Sequence, residues 1–327
     1  MRRTALALAA VAVIAAAAVL AAGVASRRAP VAAQARVQTP APAGGASAYE
    51  YMAELTDGIG ARVAGRSGEA RAGDRIREWL SALGYAPQAQ DFTFAEGGAT
   101  RRSRNLVVLK PGESAARIVI GAHYDSVQSG RGAFDNASGV GLLLELARAL
   151  RDTPTPYTLV FVAFGAEEAG EKGSRHFVAA MSARERADTL LMIDLDSVAA
   201  GDRVYAYSSL EAPWPQLAFR SLARTLGTQV LTSPGLNEDY PYGTTGDWSD
   251  HVPFRTAGIP YLYVEATNWL LGAHDGDRNT AADGSIWHTR KDTLSYIEQR
   301  YPGRMQEQLR LEAAALAAFL TTYTPPD

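Results

Sequence analysis

The sequence predicts an α/β fold whose mainly parallel sheet is covered by helices on both sides. Three observations predict it. Short apolar runs rich in branched residues recur along the chain, helical periodicity fills the stretches between them, and 327 residues at 47% hydrophobic suffice for a large core. Helical spacing runs through Tyr49 to Leu55 and through Gly68 to Leu83, where Gly84 offers a left-handed cap. Strands follow at Asn105 to Leu109, Arg117 to Ala122, Thr158 to Phe164 and Leu190 to Leu195, each apolar without alternation, as strands buried on both faces are. Between and after them Ser138 to Leu150, Ser174 to Met181, Trp214 to Leu226 and Met305 to Phe319 carry helical spacing. In such sheets ligands gather beyond the ends of the strands.

Composition narrows the chemistry. Thirty-two basic against thirty-five acidic residues give a net charge of -3, which argues against a chain held to nucleic acid by counterion release. With no cysteine, disulfides, thiolate metal sites and Cys nucleophiles are excluded, so any metal is held by His and carboxylate.

At the amino terminus Arg2 and Arg3 precede an uncharged apolar run from Ala5 to Ala25, and Arg27 with Arg28 follow it. Residues 1–35 therefore read as an export signal. The run is about 30 Å long as a helix, enough for a membrane tether through residues 4–25, while Ala33 with Ala35, or Gly23 with Ala25, offer cleavage sites. Cleaved and anchored forms both stay open. Residues 36–45 form a Pro/Ala-rich linker, and residues 46–327, without repeat or interdomain gap, read as a single catalytic domain. The expected location is periplasmic or extracellular, or anchored at the inner membrane.

The chemistry-bearing residues fall at strand ends. Arg117 to Ala122 ends in His123-Tyr124-Asp125, Thr158 to Phe164 in Gly165-Ala166-Glu167-Glu168, and Leu190 to Leu195 in Asp196. Asp135 lies in the loop before a helix, where it could serve merely as a cap, and His288 lies in Trp287-His288-Thr289. Clustered acids repel one another and lose hydration, so a divalent cation is their natural counter-charge. Imidazole and carboxylate without sulfur suit zinc, with manganese or cobalt as tolerable substitutes. Asp194 and Asp196 share a strand face, so either suits a ligand; Asp196 is nearer the strand end. Asp125, two residues beyond His123, is placed to accept a hydrogen bond from its other ring nitrogen.

His123-Tyr124-Asp125-Ser126, Asp135-Asn136-Ala137-Ser138-Gly139, Glu167-Glu168, Asp196 and Trp287-His288-Thr289, in this order, resemble the co-catalytic di-zinc aminopeptidase family, which also contains the glutaminyl cyclases. Thr232 to Asn237 and Val264 to Trp269 look like its alkaline phosphatase isozyme conversion branch. The likeness spans roughly residues 46–320. It implies the three-layer zinc-peptidase sandwich, a central mixed sheet of about eight strands between helices, and no inserted protease-associated domain. It further implies two zinc ions per chain, one on His123 and Asp196, the other on Glu168 and His288, with Asp135 bridging and Glu167 as general base. The substrate implied is a peptide or protein N-terminus.

Other residues carry weaker signals. His251, in a turn that the family places near the cleft, suits a supporting or substrate-wall role as well as simple packing. Glu265 and Trp269 are candidates for the cleft wall, while His176 and His274 read as structural or exposed. Trp287 stands where some relatives place a Tyr that helps stabilise the oxyanion. No arginine cluster suits a C-terminal carboxylate, which puts aminopeptidase ahead of carboxypeptidase. Two rivals remain, a glutaminyl cyclase-like acyltransferase using one zinc and a non-catalytic binding ectodomain; the second kind usually loses ligands or the base, and none is lost here. Side-chain preference and oligomeric state are not legible.

Overall fold

The structure, a computed structural model, describes residues 47–325. The export segment at 1–35, the tether through residues 4–25 and the linker at 36–45 lie outside the described residues. Among the described residues no helix is long and apolar enough to cross a membrane.

The apolar runs form the middle of one mixed sheet. Its strands are β1 (Gln88–Glu96), β2 (Ala99–Lys110), β3 (Ser114–His123), β4 (Tyr157–Phe164), β5 (Thr189–Leu195), β6 (Arg203–Tyr207), β7 (Val230–Leu231) and β8 (Tyr261–Thr267). They lie in the order β1-β2-β4-β3-β5-β8-β6-β7. The four central strands β4, β3, β5 and β8 are mutually parallel, and antiparallel pairings flank them. This is the expected three-layer α/β sandwich. Parallel pairing brings all four carboxyl ends to one edge, with His123 opposite Phe164 and Leu195 opposite Val264.

Helices cover both faces: α1 (Ala48–Ala53), α2 (Ser67–Ala82), α3 (Ser138–Leu150), α4 (Lys172–Ala180), α5 (Ala183–Asp188), α6 (Trp214–Thr225), α7 (His251–Thr256), α8 (Leu294–Arg300) and α9 (Arg304–Thr322). Successive strand residues point to opposite faces and find different partners. Ile118, Ile120, Phe161 and Ile193 pack with apolar residues of α1, α2, α3, α6 and α9, whereas Val119, Val160, Val162 and Met192 meet Phe177 of α4 and Phe254 of α7. Each such side chain, fully buried, contributes about 1.5–3 kcal/mol, which is why these runs become central strands. Gly121 leaves room where β3 runs beside β4, since a Cβ there would lie 2.3 Å from the Phe164 ring.

Local signals set the ends. Ser47 and Glu50 form a reciprocal capping box that starts α1, which runs into a π-helical turn at Glu54–Ile59. Beyond α2, Gly84 takes φ +86°, the left-handed conformation that a glycine permits after a helix.

Candidate metal centre

His123 ends β3, Glu167 and Glu168 follow β4, and Asp196 follows β5, so three neighbouring strands deliver them to one place. Asp135 arrives from the turn Ala133–Ala137 before α3, and His288 from the loop before α8. Three residues beside these strand ends, Ala166, Ser197 and His288, have φ of +55°, +52° and +56°. Non-glycine residues in this region cost of order 1–3 kcal/mol and persist where surrounding structure holds them.

The side chains converge. His123 Nε2 lies 3.2 Å from Asp135 Oδ1 and 3.4 Å from Asp196 Oδ1, and His288 Nε2 lies 3.2 Å from Asp135 Oδ2 and 2.9 Å from Glu168 Oε2. The two oxygens of Asp135 thus face two different histidines. Glu167 Oε2 stands 3.9 Å from His123 Nε2, while its neighbour Glu168 turns toward His288.

Other groups hold three of these acids. Asp196 Oδ2 accepts from Ser249 Oγ at 2.8 Å, and its buried Oδ1 has no hydrogen-bond partner among the described residues. Glu168 Oε1 accepts from Val127 N at 3.2 Å. The buried Asp292 accepts from Phe134 N at 2.6 Å and Asp135 N at 3.2 Å, fixing the backbone that aims Asp135. Asp135 is not a helix cap: Asn136 Oδ1 takes the Gly139 amide instead, at 2.9 Å.

Electrostatics shows how strongly these side chains act on one another. Burial pushes Glu167 well above the usual carboxylate range, and nearby Asp250, Glu168 and Asp196 add to this against the opposing pull of His123. Burial and the charge of Asp135 bring Glu168 to about 7 although His288 opposes them. Burial alone would also raise Asp135, but hydrogen bonds from His123 and His288 outweigh it and hold that carboxyl low. Burial disfavours the His288 imidazolium, yet Asp135 and Glu168 bring it to about 10. The guanidinium of Arg62, also buried, donates to the carbonyls of Tyr124, Arg131 and Gly132 at 2.7, 2.7 and 2.8 Å. It ties together the stretches leading to Asp125 and Asp135.

These residues fit zinc. Two donors on a tetrahedral zinc at about 2.0–2.1 Å lie about 3.3 Å apart, close to the separations between the imidazoles and their acids. Asp196 Oδ1, buried and without a hydrogen bond among the described residues, is free to ligate a cation, and ligand atoms of His123, Asp135 and Glu168 all lie within 4.8 Å of one another.

Other expected positions fall differently. Asp125 Oδ1 stands 3.6 Å from His123 Nδ1, beyond hydrogen-bond range, and the carboxylate instead accepts the amides of Glu167 and Glu168 at 3.0 and 3.1 Å. The expected hydrogen bond from His123 is not closed at this distance, but Asp125 stays within ion-pair reach of the imidazole and supports the turn as well. His251 is fully buried, its Nδ1 lies 3.1 Å from Asp194 Oδ2, and its ring stacks on Tyr263; the cleft wall does not include it. Asp194 is thereby engaged with His251, and Asp196 alone of the two reaches His123. His176 stacks on Phe92, and half-buried His274 lies 3.1 Å from the Trp269 carbonyl. Sequence reading did not single out Arg62, Asp292 or Ser249. A lone Arg or Asp carries no mark of burial, although Asp292 lies only four residues beyond His288.

The centre opens into a cleft of about 320 Å³. Its further walls are Tyr240, Trp248, Tyr263 and Trp287 with the acids Glu265, Asp275 and Asp277. Trp269 lies behind this wall, donating from Nε1 to Tyr207 Oη at 2.5 Å, and Tyr207 donates to Glu265 at 3.0 Å. Burial raises Glu265 to about 8.

Fold and site together define a metallo-aminopeptidase, a hydrolase whose candidate metal-holding residues gather at the carboxyl edge of a mixed sheet. The chain belongs to peptidase family M28, whose pattern matches residues 105–313. It is 33% identical over 283 residues to the alkaline phosphatase isozyme conversion protein of Escherichia coli, covering 76% of this chain and 82% of that one. To aminopeptidase YwaD of Bacillus subtilis it is 29% identical over 231 residues, 65% of this chain, and spans 44% of that protein's length. Among solved structures it is similar to a zinc aminopeptidase from Bacillus subtilis, at TM-score 0.68 and 19% identity over 86% of this chain and 96% of that one. A glutaminyl cyclase from Porphyromonas gingivalis shares the fold at TM-score 0.67 and 24% identity, over 84% and 96%.

Proposed function

We propose that the chain removes the N-terminal residue of peptides, with Glu167 as general base and two zinc ions on His123, Asp135, Glu168, Asp196 and His288. The division of the Asp135 carboxylate between His123 and His288, at 3.2 Å each, carries this reading. His123, Asp196 and Asp135 Oδ1 would hold one ion, and Glu168, His288 and Asp135 Oδ2 the other. Zinc, when bound, polarises the scissile carbonyl and lowers the pKa of water. Glu167 Oε2 takes the proton from the attacking water and delivers it to the leaving amine. Asp125, gripping the amides of Glu167 and Glu168, keeps base and ligand aimed apart. The aromatic walls shelter the peptide from water, and Asp275 and Asp277 at the cleft suit the free α-ammonium that marks a peptide N-terminus. Turnover of a panel of aminoacyl amides with and without chelator tests the reading; no chelator-sensitive hydrolysis overturns it.

The fold it shares with a glutaminyl cyclase makes N-terminal Gln the informative extra substrate. Ammonia release with one zinc per chain favours cyclisation, whereas free amino acid release with two favours hydrolysis.

For the whole chain the reading adds export by residues 1–35, a linker at 36–45 and a catalytic domain from residue 46 placed outside the cytoplasm. The arginine pairs flanking Ala5 to Ala25 support it. Cell fractionation with N-terminal sequencing of the mature protein checks export and distinguishes cleavage from tethering.

A further inference from the structure

The turn carrying Glu167 and Glu168 leaves β4 through Gly165 and Ala166, and Ala166 adopts φ +55°, which a non-glycine residue keeps only when held there. Three consecutive amides of this turn donate to buried carboxylates. Those of Glu167 and Glu168 reach Asp125, but the Ala166 amide reaches a different acid, Glu69 Oε1, at 2.9 Å. Glu69 lies in the first turn of α2, only 2% exposed, and precedes the residues matched to the family pattern. Its Oε1 also accepts from Ser103 Oγ of β2 at 2.5 Å, and its Oε2 accepts from Gly65 N at 2.6 Å. One carboxylate thus joins α2, β2 and the turn. The fit is close: a Cβ on Gly165 would lie 2.2 Å from Ser103 Oγ and 3.0 Å from Glu69 Oε1.

We propose that Glu69 is a positioning residue for the reaction. By holding the Ala166 amide it keeps the turn in its left-handed conformation and so sets the directions in which Glu167 and Glu168 leave it. Glu69 itself acts only through the turn. The proposal rests on the reading of Glu167 as base and Glu168 as ligand. Alanine at position 69 leaves three donors without their acceptor and frees the turn to relax. Glutamine keeps one acceptor oxygen, enough for Ser103 and Ala166, and turns its amide against Gly65 N–H.

The test compares wild type, Glu69→Ala and Glu69→Gln in the full chain, with Leu309→Ala in α9 as a control that loses stability far from the turn. Hydrolysis of an aminoacyl amide, zinc affinity by competition with a chelator and melting temperature are read for each variant. Misplacement by about 1 Å lowers rates roughly 10²-fold, and lost outer partners weaken metal binding about 10- to 100-fold. Glu69→Ala is expected to lose turnover and zinc affinity on these scales with KM within about threefold, and Glu69→Gln to recover part of both. Leu309→Ala keeps both at the same distance below its own melting temperature. Wild-type kcat and zinc affinity in Glu69→Ala overturn the proposal, as does an equal loss in Leu309→Ala. Should Glu69→Ala fail to fold, Glu69→Gln decides by the same criteria. If wild type binds zinc but hydrolyses no aminoacyl amide, the peptidase reading fails while zinc affinity still decides the role of Glu69; wild type without zinc affinity ends both.

Discussion

Glu167 and Glu168 are adjacent in sequence yet face different histidines, and their difference in role follows from what lies across from each. Glu168 has one oxygen on the Val127 amide and the other 2.9 Å from His288, the posture of a ligand. The Glu167 carboxylate accepts from no backbone amide among the described residues and stands 3.9 Å from His123, leaving it able to carry a proton. Glu167→Gln is therefore expected to keep the zinc content of wild type while turnover falls roughly 10²- to 10⁴-fold; unchanged kcat excludes it as the base. Asp135→Ala removes the carboxylate that faces both histidines, so zinc content by elemental analysis and melting temperature should fall together. A variant with wild-type zinc content contradicts the bridge. These residues were legible because strand ends in sequence order carried His or acid. The support of the turn by Asp125 was not, because strand alternation stops at His123 and the next residues follow loop geometry.

Among the elements, β2, β3, β4 and β5 were legible, whereas the central β8, whose run Tyr261–Thr267 is broken by Glu265, and the strands β1, β6 and β7 were not. β3, β4 and β5 are buried on both faces and need continuous apolar runs, whereas β1 (Gln88–Glu96) buries only Phe92 and Phe94 and reads as a polar segment. α9 shows a further effect hidden from sequence. Its Glu312 is fully buried, and among the described residues neither carboxyl oxygen has a hydrogen-bond partner, so burial pushes the group well above its ordinary value. In the unfolded chain it titrates near 4.3. The raised folded value means that its contribution to stability is complete below about pH 4 and is lost as pH rises toward the folded pKa, by about 1.4 kcal/mol per unit. Glu312→Leu should therefore raise the melting temperature at pH 8 by at least about 2 °C, with a smaller gain at pH 5. An equal or lower melting temperature at pH 8 shows that the carboxyl is satisfied.

For the molecule as a whole, metal and fold are linked through the same edge of the sheet. The candidate ligands from β3, β4, β5 and the loops before α3 and α8 converge only in the folded chain, so zinc held there would stabilise the native state. At free zinc 100-fold above Kd a bound ion would add about 2.7 kcal/mol, so chelation should lower the melting temperature and zinc should restore it. A melting temperature indifferent to both speaks against metal in the folded chain. Proton linkage gives an independent measure. With Glu168 near 7 and His288 near 10 in the cation-free protein, these ligands hold protons at neutral pH that a cation must displace. Zinc uptake at pH 7 should release protons, seen by calorimetry in buffers of different ionisation enthalpy, and affinity should fall as pH drops. Uptake without proton release means that the ligands are already deprotonated.

The sequence by itself determined the class of fold, three of the four central strands and the candidates for the site, because buried parallel strands demand apolar continuity and because His and carboxylate stand at their ends in a fixed order. Only the tertiary structure decided which acid serves which partner: Asp196 toward His123 and Asp194 toward His251, Asp125 and Glu69 under the turn, Arg62 across the carbonyls behind them. A charged residue looks the same in sequence whether it faces water or a buried amide. Its role is set by neighbours that lie tens of residues away and meet it only when the sheet is closed over by its helices.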